Sequence, residues 1–550
     1  MTSRGDVSAG ADVGDTSFER ALAEVEAANR ELAADLDRRV EDEYDVVVIG
    51  SGPGGGTLTY ALRGLGASIL LVERGDFLAQ EPSNWDTRFV LEQQGYANSE
   101  RWQNGHGEWY QPLHYYYVGG MSKLYAGTLL RFRATDFGAV QHEDGLSPAW
   151  PFSYEEVEPY YAEAERLYLA HGQAGEDPSE PPRSGPFPYP AVPVVPEVAD
   201  LRDRLRRTGL HPFAMPQGLA LKTGDGRCIY CGFCDSYPCR LLARGDTELC
   251  CIRPAIRNRN VTLVRNARAC RLITDGPARR LAAVEVDIDG SARKIRAEIV
   301  VLAAGAVNSP VLLLRSADAA HPRGLANSSG LVGTNYMRHD MTVLMATTPD
   351  GTDLPDDHFW KSVGFNDFYL SGGSEWPYPL GTVQVIGNYH EYRRRLLPNS
   401  FGDSDEERSR SARAMLPLFL VTEDLPRADN RVTLTRDGHI MVDYNANNLA
   451  SHRRLISVMR RKLQEAGFQP VTSRSFLRVE EGGGYHHCGT LRCGDDPKAS
   501  VLDRDCRAHD VANLYVVDAS CFPSSAACNP LLTIAANALR VADKIKSKLS

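Results

Sequence analysis

The 550-residue sequence lacks an excess of basic residues, a long apolar run and any internal repeat. Its 61 Lys and Arg against 71 Asp and Glu give a formal net charge of −10, which argues against a surface for nucleic acid or anionic lipid. No stretch approaches the ~18 consecutive apolar residues of a membrane span. The polar N-terminus also lacks the apolar run of a secretory signal. We therefore expect a cytoplasmic protein with no membrane span.

The sequence also lacks any sign of secretion, so its twelve cysteines are not expected to form a disulfide framework. We expect reduced thiols or metal ligands instead. The chain is longer than one ordinary core requires, and 43% hydrophobic with 24% charged residues is typical of globular proteins. Two domains with room for a large cofactor are therefore expected.

Short apolar runs alternate with helical patterns along the chain. Residues 1–43 form an extension in which 18–40 has the spacing of an amphipathic helix. The proline-rich stretch 181–196 indicates a connector. Strand-like runs occur at 44–50, 261–264, 299–303 and 513–518, and a helix-like stretch covers 531–549. This interleaving predicts an α/β fold whose cofactor domain is discontinuous.

A glycine-rich turn follows the first strand-like run. Gly50, Gly52 and Gly55 precede a helical stretch, and the next apolar run ends at Glu73. Strand, glycines, helix, strand and an acidic residue in this order are typical of a dinucleotide-binding βαβ unit. Gly50 permits the tight turn, Gly52 admits the pyrophosphate, and Gly55 allows close helix packing. Glu73 is expected to bind a ribose. The motif alone does not separate FAD from NAD.

Three further segments accompany this motif: GGMSKLYAG at 119–127, VVLAAGAVNSP at 300–310, and the stretch 486–534. Together the four segments resemble the glucose-methanol-choline (GMC) family of FAD-dependent oxidoreductases, most closely its pyranose, glycoside and aminoglycoside oxidase branch. We predict a Rossmann-like FAD-binding domain and an α+β substrate-binding domain on an antiparallel sheet. The first would comprise 44–155, 240–340 and 481–550, and the second 156–239 and 341–480.

The resemblance also implies which residues hold the cofactor. In addition to the glycine motif and Glu73, we expect contacts with FAD from Gly119, Gly120, Met121, Ser122, Ala304, Asp518, Asn529 and Pro530. In relatives that bind the flavin covalently, a His occupies the position of Leu124. We therefore predict a non-covalent FAD.

The C-terminal segment resembles the catalytic part of the family. His486 begins a sequence similar to the family's H-x-x-G-T, and Asn529 begins one similar to N-P-x-x-T. An alcohol passes its hydride to flavin N5 only as its hydroxyl proton is removed, and a neutral imidazole is a suitable base at neutral pH. We predict His486 as the base and Asn529 as the residue that orients the substrate oxygen. If the segment is extended, the neighbouring His487 points away from the flavin.

Four cysteines form a separate cluster: Cys228, Cys231, Cys234 and Cys239. Their spacing is similar to iron–sulfur ligation, but the last gap is four residues and the proline precedes Cys239. C-x-x-C pairs also suit zinc. We favour packed thiols or a local disulfide without metal, and the two metal interpretations stay open.

Acidic and aromatic residues alternate between 353 and 392, where family members build the roof of the substrate site. They are Asp356, Asp357, Trp360, Asp367, Tyr369, Glu375, Trp376 and Tyr378. Aromatic faces stack on sugars and carboxylates pair with hydroxyl or ammonium groups. We predict a carbohydrate alcohol as substrate, with an aminoglycoside as a specific possibility. An ordinary sheet with a solvated acidic edge is the alternative interpretation of this region.

Other functions of the same site are also considered. An aliphatic, aryl or sterol alcohol oxidase would have an apolar cavity, whereas a carbohydrate oxidase would have a polar and acidic one. An electron-transferring dehydrogenase subunit would carry the iron–sulfur cluster. A flavin-binding protein without turnover would not need His486 and Asn529. The sequence does not decide between O₂ and another electron acceptor.

Overall fold

The computed structural model describes residues 15–549, except residues 37, 222–225, 276–278, 357–358, 388–389, 470 and 482–485. Asp357 and the first 14 residues of the predicted extension lie outside the described residues. The described helices are α1 (Asp15–Asp35), α2 (Pro53–Leu62), α3 (Tyr154–Leu167), α4 (Pro196–Arg207), α5 (Arg253–Ile256), α6 (Gly305–Arg315), α7 (His390–Leu396), α8 (Asp405–Arg413), α9 (Leu449–Glu465) and α10 (Leu531–Leu549).

The strands form a large mixed sheet, a large antiparallel sheet and three small sheets. They are β1 (Glu43–Ile49), β2 (Ile69–Val72), β3 (Trp102–Asn104), β4 (Trp109–Tyr110), β5 (Val140–His142), β6 (Gly145–Ser147), β7 (Ala170–Gly172), β8 (Tyr189–Pro190), β9 (Pro212–Ala214), β10 (Gln217–Gly218), β11 (Val261–Val264), β12 (Ala267–Thr274), β13 (Leu281–Ile288), β14 (Ser291–Leu302), β15 (Asp340–Thr347), β16 (Val363–Phe365), β17 (Thr382–Val385), β18 (Met415–Thr422), β19 (Arg431–Leu434), β20 (Ile440–Asp443), β21 (Val471–Phe476) and β22 (Leu514–Val516).

The mixed sheet carries the dinucleotide motif. Its strands β11, β2, β1, β14 and β22 pair in parallel, and β12 and β13 continue the first half of β14 as an antiparallel ribbon. The parallel strands are runs of Val, Ile and Leu because the sheet is buried on both faces. The strands predicted from these runs are confirmed, as is the C-terminal helix, which is α10.

One asparagine closes the gap between the ribbon and the last parallel strand. Asn513 donates from Nδ2 to the carbonyl oxygens of Leu281 (3.0 Å) and Glu298 (2.9 Å), and its Oδ1 accepts from the N–H of Leu281 (2.8 Å). These bonds satisfy backbone groups at the point where β14 stops pairing with β13 and begins to pair with β22. The carboxyl ends of β1, β14 and β22 therefore meet at one edge of the sheet.

The antiparallel sheet has the order β21, β15, β18, β17, β16 and β9. Alternate side chains of β15 and β18 point to opposite faces, as in any strand. Leu344 and Leu418 pack in the core formed with α4 and α9. Val343, Met345 and Met415 pack on the other face with residues of α7 and α8. This second face borders the cavity described below.

The fold class is confirmed: an α/β unit with a parallel sheet accompanies an α+β unit with an antiparallel sheet. The exact division into domains stays a prediction. Most of α3 falls in the predicted substrate-binding domain, but α3 packs against α10, and Tyr161 hydrogen-bonds Thr533 (2.7 Å). Over the described residues, no helix combines the length and the apolar character needed to cross a membrane.

Candidate active site

The glycine loop lies where β1, β14 and β22 end. Gly50 has φ +100°, and a Cβ there would lie 2.4 Å from the carbonyl oxygen of Ala303. A Cβ on Gly55 would lie 2.0 Å from the oxygen of Gly50. Gly52 differs, because its Cβ would meet nothing closer than Gly120 Cα at 3.9 Å. Gly50 and Gly55 are thus required for backbone packing, whereas Gly52 borders open space at the start of α2.

Glu73 ties this loop to the next glycine segment. Its Oε2 accepts from the N–H (3.1 Å) and Oγ (2.6 Å) of Ser51, and its Oε1 accepts from the N–H of Gly75 (2.9 Å). Ser51 Oγ in turn accepts from the N–H of Gly119 (3.0 Å). Burial raises the pKa of Glu73, and these hydrogen bonds partly oppose that effect.

The segment from Gly119 to Ser122 turns back on the glycine loop. Gly119 and Gly120 have φ +98° and +57°, and a Cβ on Gly120 would lie 2.9 Å from Gly52 Cα. Lys123, the next residue, holds the segment in place through buried ion pairs with Asp246 (2.8 Å) and Glu248 (2.6 Å). The two glycine segments therefore lie against each other at a fixed position.

A continuous cavity of about 490 Å³ runs along these segments. Most of the predicted cofactor residues line it: Gly50, Gly52, Glu73, Gly120, Met121, Ser122, Ala304, Asp518, Asn529 and Pro530. Gly55 and Gly119 are not among the lining residues and act through the backbone. Asp518 accepts from Gly305 N–H (2.9 Å) and Ser309 Oγ (2.5 Å), which holds the start of α6. Leu124 also lines the cavity.

His486 lies in the same cavity, and its hydrogen bonds fix its protonation pattern. His339 Nε2 lies 3.0 Å from the carbonyl oxygen of Ser525, which can only accept, so Nε2 carries the proton. His339 Nδ1 is therefore the acceptor in its 2.9 Å contact with Nδ1 of His486. Nδ1 of His486 is the donor, and its Nε2 carries the lone pair. Burial, reinforced by the neighbouring His339 and His487, lowers the pKa of His486 well below its usual value.

Asn529 stands at that lone pair. Its Oδ1 accepts from Gln384 Nε2 (2.7 Å), which turns Nδ2 toward His486 Nε2 at 3.5 Å. The structure thus brings the two predicted catalytic residues together.

His487 also lines the cavity, so strand alternation does not apply here. Residues 486 and 487 lie in an irregular segment. His487 bonds through Nδ1 to the hydroxyl of Tyr336, and its ring lies 6.0 Å from that of His114. The two neighbouring histidines therefore have separate sets of partners, and only His486 contacts Asn529.

Sequence reasoning missed several residues of this site. His339 and Gln384, which hydrogen-bond His486 and Asn529, lie 147 and 145 residues from these partners and belong to no local motif. His339 has φ +68°, an uncommon backbone conformation for a residue other than glycine. Such backbone strain occurs often at active sites, but it is not visible in a sequence.

The acidic region between 353 and 392 does not form the expected roof. None of its described predicted residues lines the cavity. Asp356 instead pairs with Arg393 (3.1 Å), Asp367 accepts from His211 Nδ1 (2.6 Å), and Glu375 pairs with Arg454 (3.3 Å). Tyr369 donates to Asp136 and Trp360 is buried in the core. Asp356, Asp367 and Glu375 therefore have partners within the protein.

The part of the cavity wall that the antiparallel sheet, α7 and nearby loops contribute is apolar and basic instead. Its apolar part comes mainly from the antiparallel sheet and α7: Met341, Val343, Ile386, Leu396, Phe419 and Phe476. Its charged groups are Asp235, Lys361, Arg395, Arg474 and Glu481. Lys361 donates to Asp235 at 2.8 Å. Of the residues between 353 and 392, Lys361, Ile386 and Tyr392 reach the cavity.

The cysteine cluster lies in a loop, and none of its four cysteines lines the cavity that contains His486 and Asn529. All four of its cysteines are free, and Arg244 holds the loop through the carbonyl oxygens of Cys234 and Tyr237. Burial raises the pKa of Cys234 to about 12, so its thiol stays protonated. Among the described residues, no three His, Cys, Asp or Glu side chains are arranged to hold a metal ion.

Comparison with known proteins agrees with this geometry. Residues 117–341 and 426–538 match two family models, both of GMC oxidoreductases. The 6'''-hydroxyparomomycin C oxidase of Streptomyces lividus is 31% identical over 92% of both chains. The paromamine 6'-oxidase of Streptomyces fradiae is 30% identical over 93% of both.

The fold is similar to that of solved structures. The crystal structure of pyridoxine 4-oxidase from Mesorbium loti superimposes with a TM-score of 0.65 and 20% identity, covering 92% of this chain and 99% of that one. Two matched family models and relatives near 30% identity over almost the whole chain leave no ambiguity. The chain belongs to the GMC oxidoreductase family and is an FAD-dependent oxidoreductase that acts on CH–OH groups.

Proposed function

We propose that this protein oxidises an alcohol carbon of a carbohydrate, with His486 as the catalytic base. The observation that carries the proposal is the lone pair on His486 Nε2, which has a long 3.5 Å contact with Asn529 Nδ2 in the cavity of the dinucleotide loops. The names of two relatives, both aminoglycoside oxidases, support a carbohydrate substrate. Sugars, glycosides and amino sugars all fall within the proposal.

The described residues suit FAD. Gly52 and the first turn of α2 offer open space and backbone N–H groups to a pyrophosphate, and the carboxylate of Glu73 lies beside the same loop. Met121, Ser122 and Ala304 line the same cavity as His486. When bound, FAD supplies the acceptor for the hydride. The protein supplies position and proton transfer.

His486 removes the substrate hydroxyl proton through Nε2. Its Nδ1 proton stays in the bond to His339, whose own proton stays on the Ser525 carbonyl, so both tautomers are fixed before the substrate arrives. A base that needs no rearrangement contributes typically ~10²–10⁴ in rate. The positive charge formed on His486 is shared with His339 through the hydrogen bond between them.

Asn529 positions the substrate oxygen. Its Nδ2 lies beside the lone pair of His486, and its amide is held by Gln384. A hydroxyl group that displaces this weak 3.5 Å contact would donate its proton to His486 and accept from Asn529 Nδ2.

A second candidate substrate is a non-carbohydrate alcohol, and the apolar wall of Met341, Val343, Phe419 and Phe476 favours it. An anaerobic screen of sugars, aminoglycosides and simple aryl or aliphatic alcohols, scored by bleaching of the flavin spectrum, separates the two. Repeating the active reactions in air and with artificial acceptors identifies the electron acceptor.

The first prediction concerns the cofactor linkage. Leu124 provides no nucleophile at the position where some relatives attach the flavin, so FAD should be bound non-covalently. Acid precipitation should release yellow flavin into the supernatant, measured by absorbance. Colour that stays in the washed pellet would show that another cavity residue, such as His114 or His487, forms a bond to the flavin.

Glu73→Ala should weaken FAD binding at least about tenfold, because the loop loses the acceptor for Ser51 and Gly75 as well as the ribose contact. Fluorescence titration of the apoprotein measures the change. Glu43→Ala is the matched control, since Glu43 forms an exposed pair with Arg296. An unchanged FAD dissociation constant in Glu73→Ala would count against this role.

His486→Ala should slow flavin reduction about 10² or more with little change in substrate affinity, since the hydroxyl is neutral until the hydride leaves. Asn529→Ala should cost about 1.5–3 kcal/mol, the value of one hydrogen bond to a developing charge. His487→Ala should have little effect. Anaerobic stopped-flow reduction tests all three. Normal reduction by His486→Ala with loss in His487→Ala would move the base to His487.

The role of His339 can be tested with two residues that tolerate its positive φ. His339→Gly removes the acceptor for His486 Nδ1 and should slow flavin reduction about tenfold, whereas His339→Asn keeps an acceptor oxygen and should lose less. Equal rates in both variants and the wild type would exclude a positioning role.

The pH dependence of the wild type is a separate prediction. The rate of flavin reduction should fall only on acidification below the usual imidazole pKa of about 6.5, because the lowered pKa keeps His486 neutral above it.

A further inference from the structure

The cavity contains a guanidinium group with unused hydrogen-bonding capacity. Arg395 lies on α7, next to Leu396, which packs against Val343 and Met345 of the antiparallel sheet. Its side chain lines the cavity, and its Nη1 is buried without a hydrogen-bond partner among the described residues. Such a buried donor costs free energy comparable to a lost hydrogen bond, and more when it is charged. A ligand that accepts from Nη1 would recover that free energy.

A second arginine approaches the same place. Arg474, on β21, is exposed at the cavity edge and donates from Nη1 to the carbonyl oxygen of Arg395 (2.6 Å). Its guanidinium lies 5.5 Å from the ring of Phe476. Within the described residues, neither arginine forms an ion pair. Two cationic side chains in one cavity lining favour a ligand that carries negative charge.

The carboxylates of the cavity wall have other partners. Asp235 accepts from Lys361 (2.8 Å) and from the N–H of Gly387 (2.7 Å). Glu481 accepts from the backbone N–H groups of residues 477 and 478, both at 2.9 Å. This wall therefore has an excess of positive charge, although the whole chain has a formal net charge of −10.

We propose that the substrate carries an anionic group, a carboxylate or a phosphate, which Arg395 and Arg474 bind while its CH–OH carbon reaches His486. A guanidinium presents two parallel N–H donors that match the oxygens of either anion. The inference rests on the proposed function and narrows it: a sugar acid or sugar phosphate fits this wall, and a polycationic sugar does not. The apolar residues of the same cavity lining, such as Val343 and Phe419, would contact the body of the substrate.

The test uses the FAD-loaded full chain and four sugars of one ring type: D-glucuronate, D-glucose 6-phosphate, D-glucose and D-glucosamine. Each is titrated anaerobically, and both flavin bleaching and the difference spectrum of the oxidised flavin are recorded. The wild type should bind one of the anions at least about tenfold more tightly than D-glucose, and D-glucosamine most weakly. The two anionic sugars distinguish a carboxylate site from a phosphate site.

Arg395→Gln and Arg474→Gln should remove this preference, lowering affinity for the anion at least about tenfold without changing that for D-glucose. Arg410→Gln, an exposed arginine of α8, is the matched control and should behave as the wild type. Equal affinities for all four sugars, tightest binding of D-glucosamine, or equal effects of Arg395→Gln on charged and neutral sugars would overturn the proposal. Anion binding lost in Arg395→Gln, with no flavin bleaching by any alcohol, would keep the anion site and contradict the proposed function.

Discussion

Gly50 lies against the carbonyl oxygen of Ala303, at a distance that leaves no room for a side chain. This backbone contact brings the ends of β1 and β14 together. The end of β22 lies beside them, because the N–H of Val517 donates to the carbonyl oxygen of Leu302 (3.1 Å). The glycine loop, the start of α6 and the segment around Asp518 therefore converge on one edge of the sheet. Ligands of open α/β sheets bind at this carboxyl edge. Residues distant in the sequence thereby come to line one cavity.

Chemistry at that edge depends on burial as much as on contact. A buried imidazole is held neutral because the charged form loses its solvation, and burial is the largest cause of the lowered pKa values of both His339 and His486. Burial alone would not decide which nitrogen is free. The carbonyl oxygen of Ser525 decides it, since a group that only accepts fixes the proton on one nitrogen and, through His339, on His486. The carbonyl oxygen of Ser525 thus determines which nitrogen of His486 carries the lone pair, through His339 rather than through a direct contact.

Much of this arrangement could be predicted from the sequence, because local pattern and local structure agree there. Buried parallel strands require runs of Val, Ile and Leu, and the turn at Gly50 requires glycine, so both appear in the sequence. The family motifs then located His486 and Asn529. His339, Gln384 and Asn513 could not be found this way, since each acts through a partner more than 140 residues away and only the tertiary fold brings them together. The prediction that His487 points away from the site was also wrong, because it assumed the side-chain alternation of a strand and the segment is irregular.

The acidic residues between 353 and 392 show why charge in a sequence does not predict charge in a site. A carboxylate can face the cavity or pair with a nearby arginine, and Asp356 and Glu375 do the latter. Side chains without a partner in the protein carry the information, because burying an unpaired charge is costly unless a ligand compensates for it. Among the described residues of this cavity lining, Nη1 of Arg395 is a charged group of this kind. An identity of about 30% to a paromamine 6'-oxidase and a 6'''-hydroxyparomomycin C oxidase therefore does not by itself fix the charge of the cavity lining, which in this chain includes Arg395, Arg474 and Lys361 together with Asp235 and Glu481.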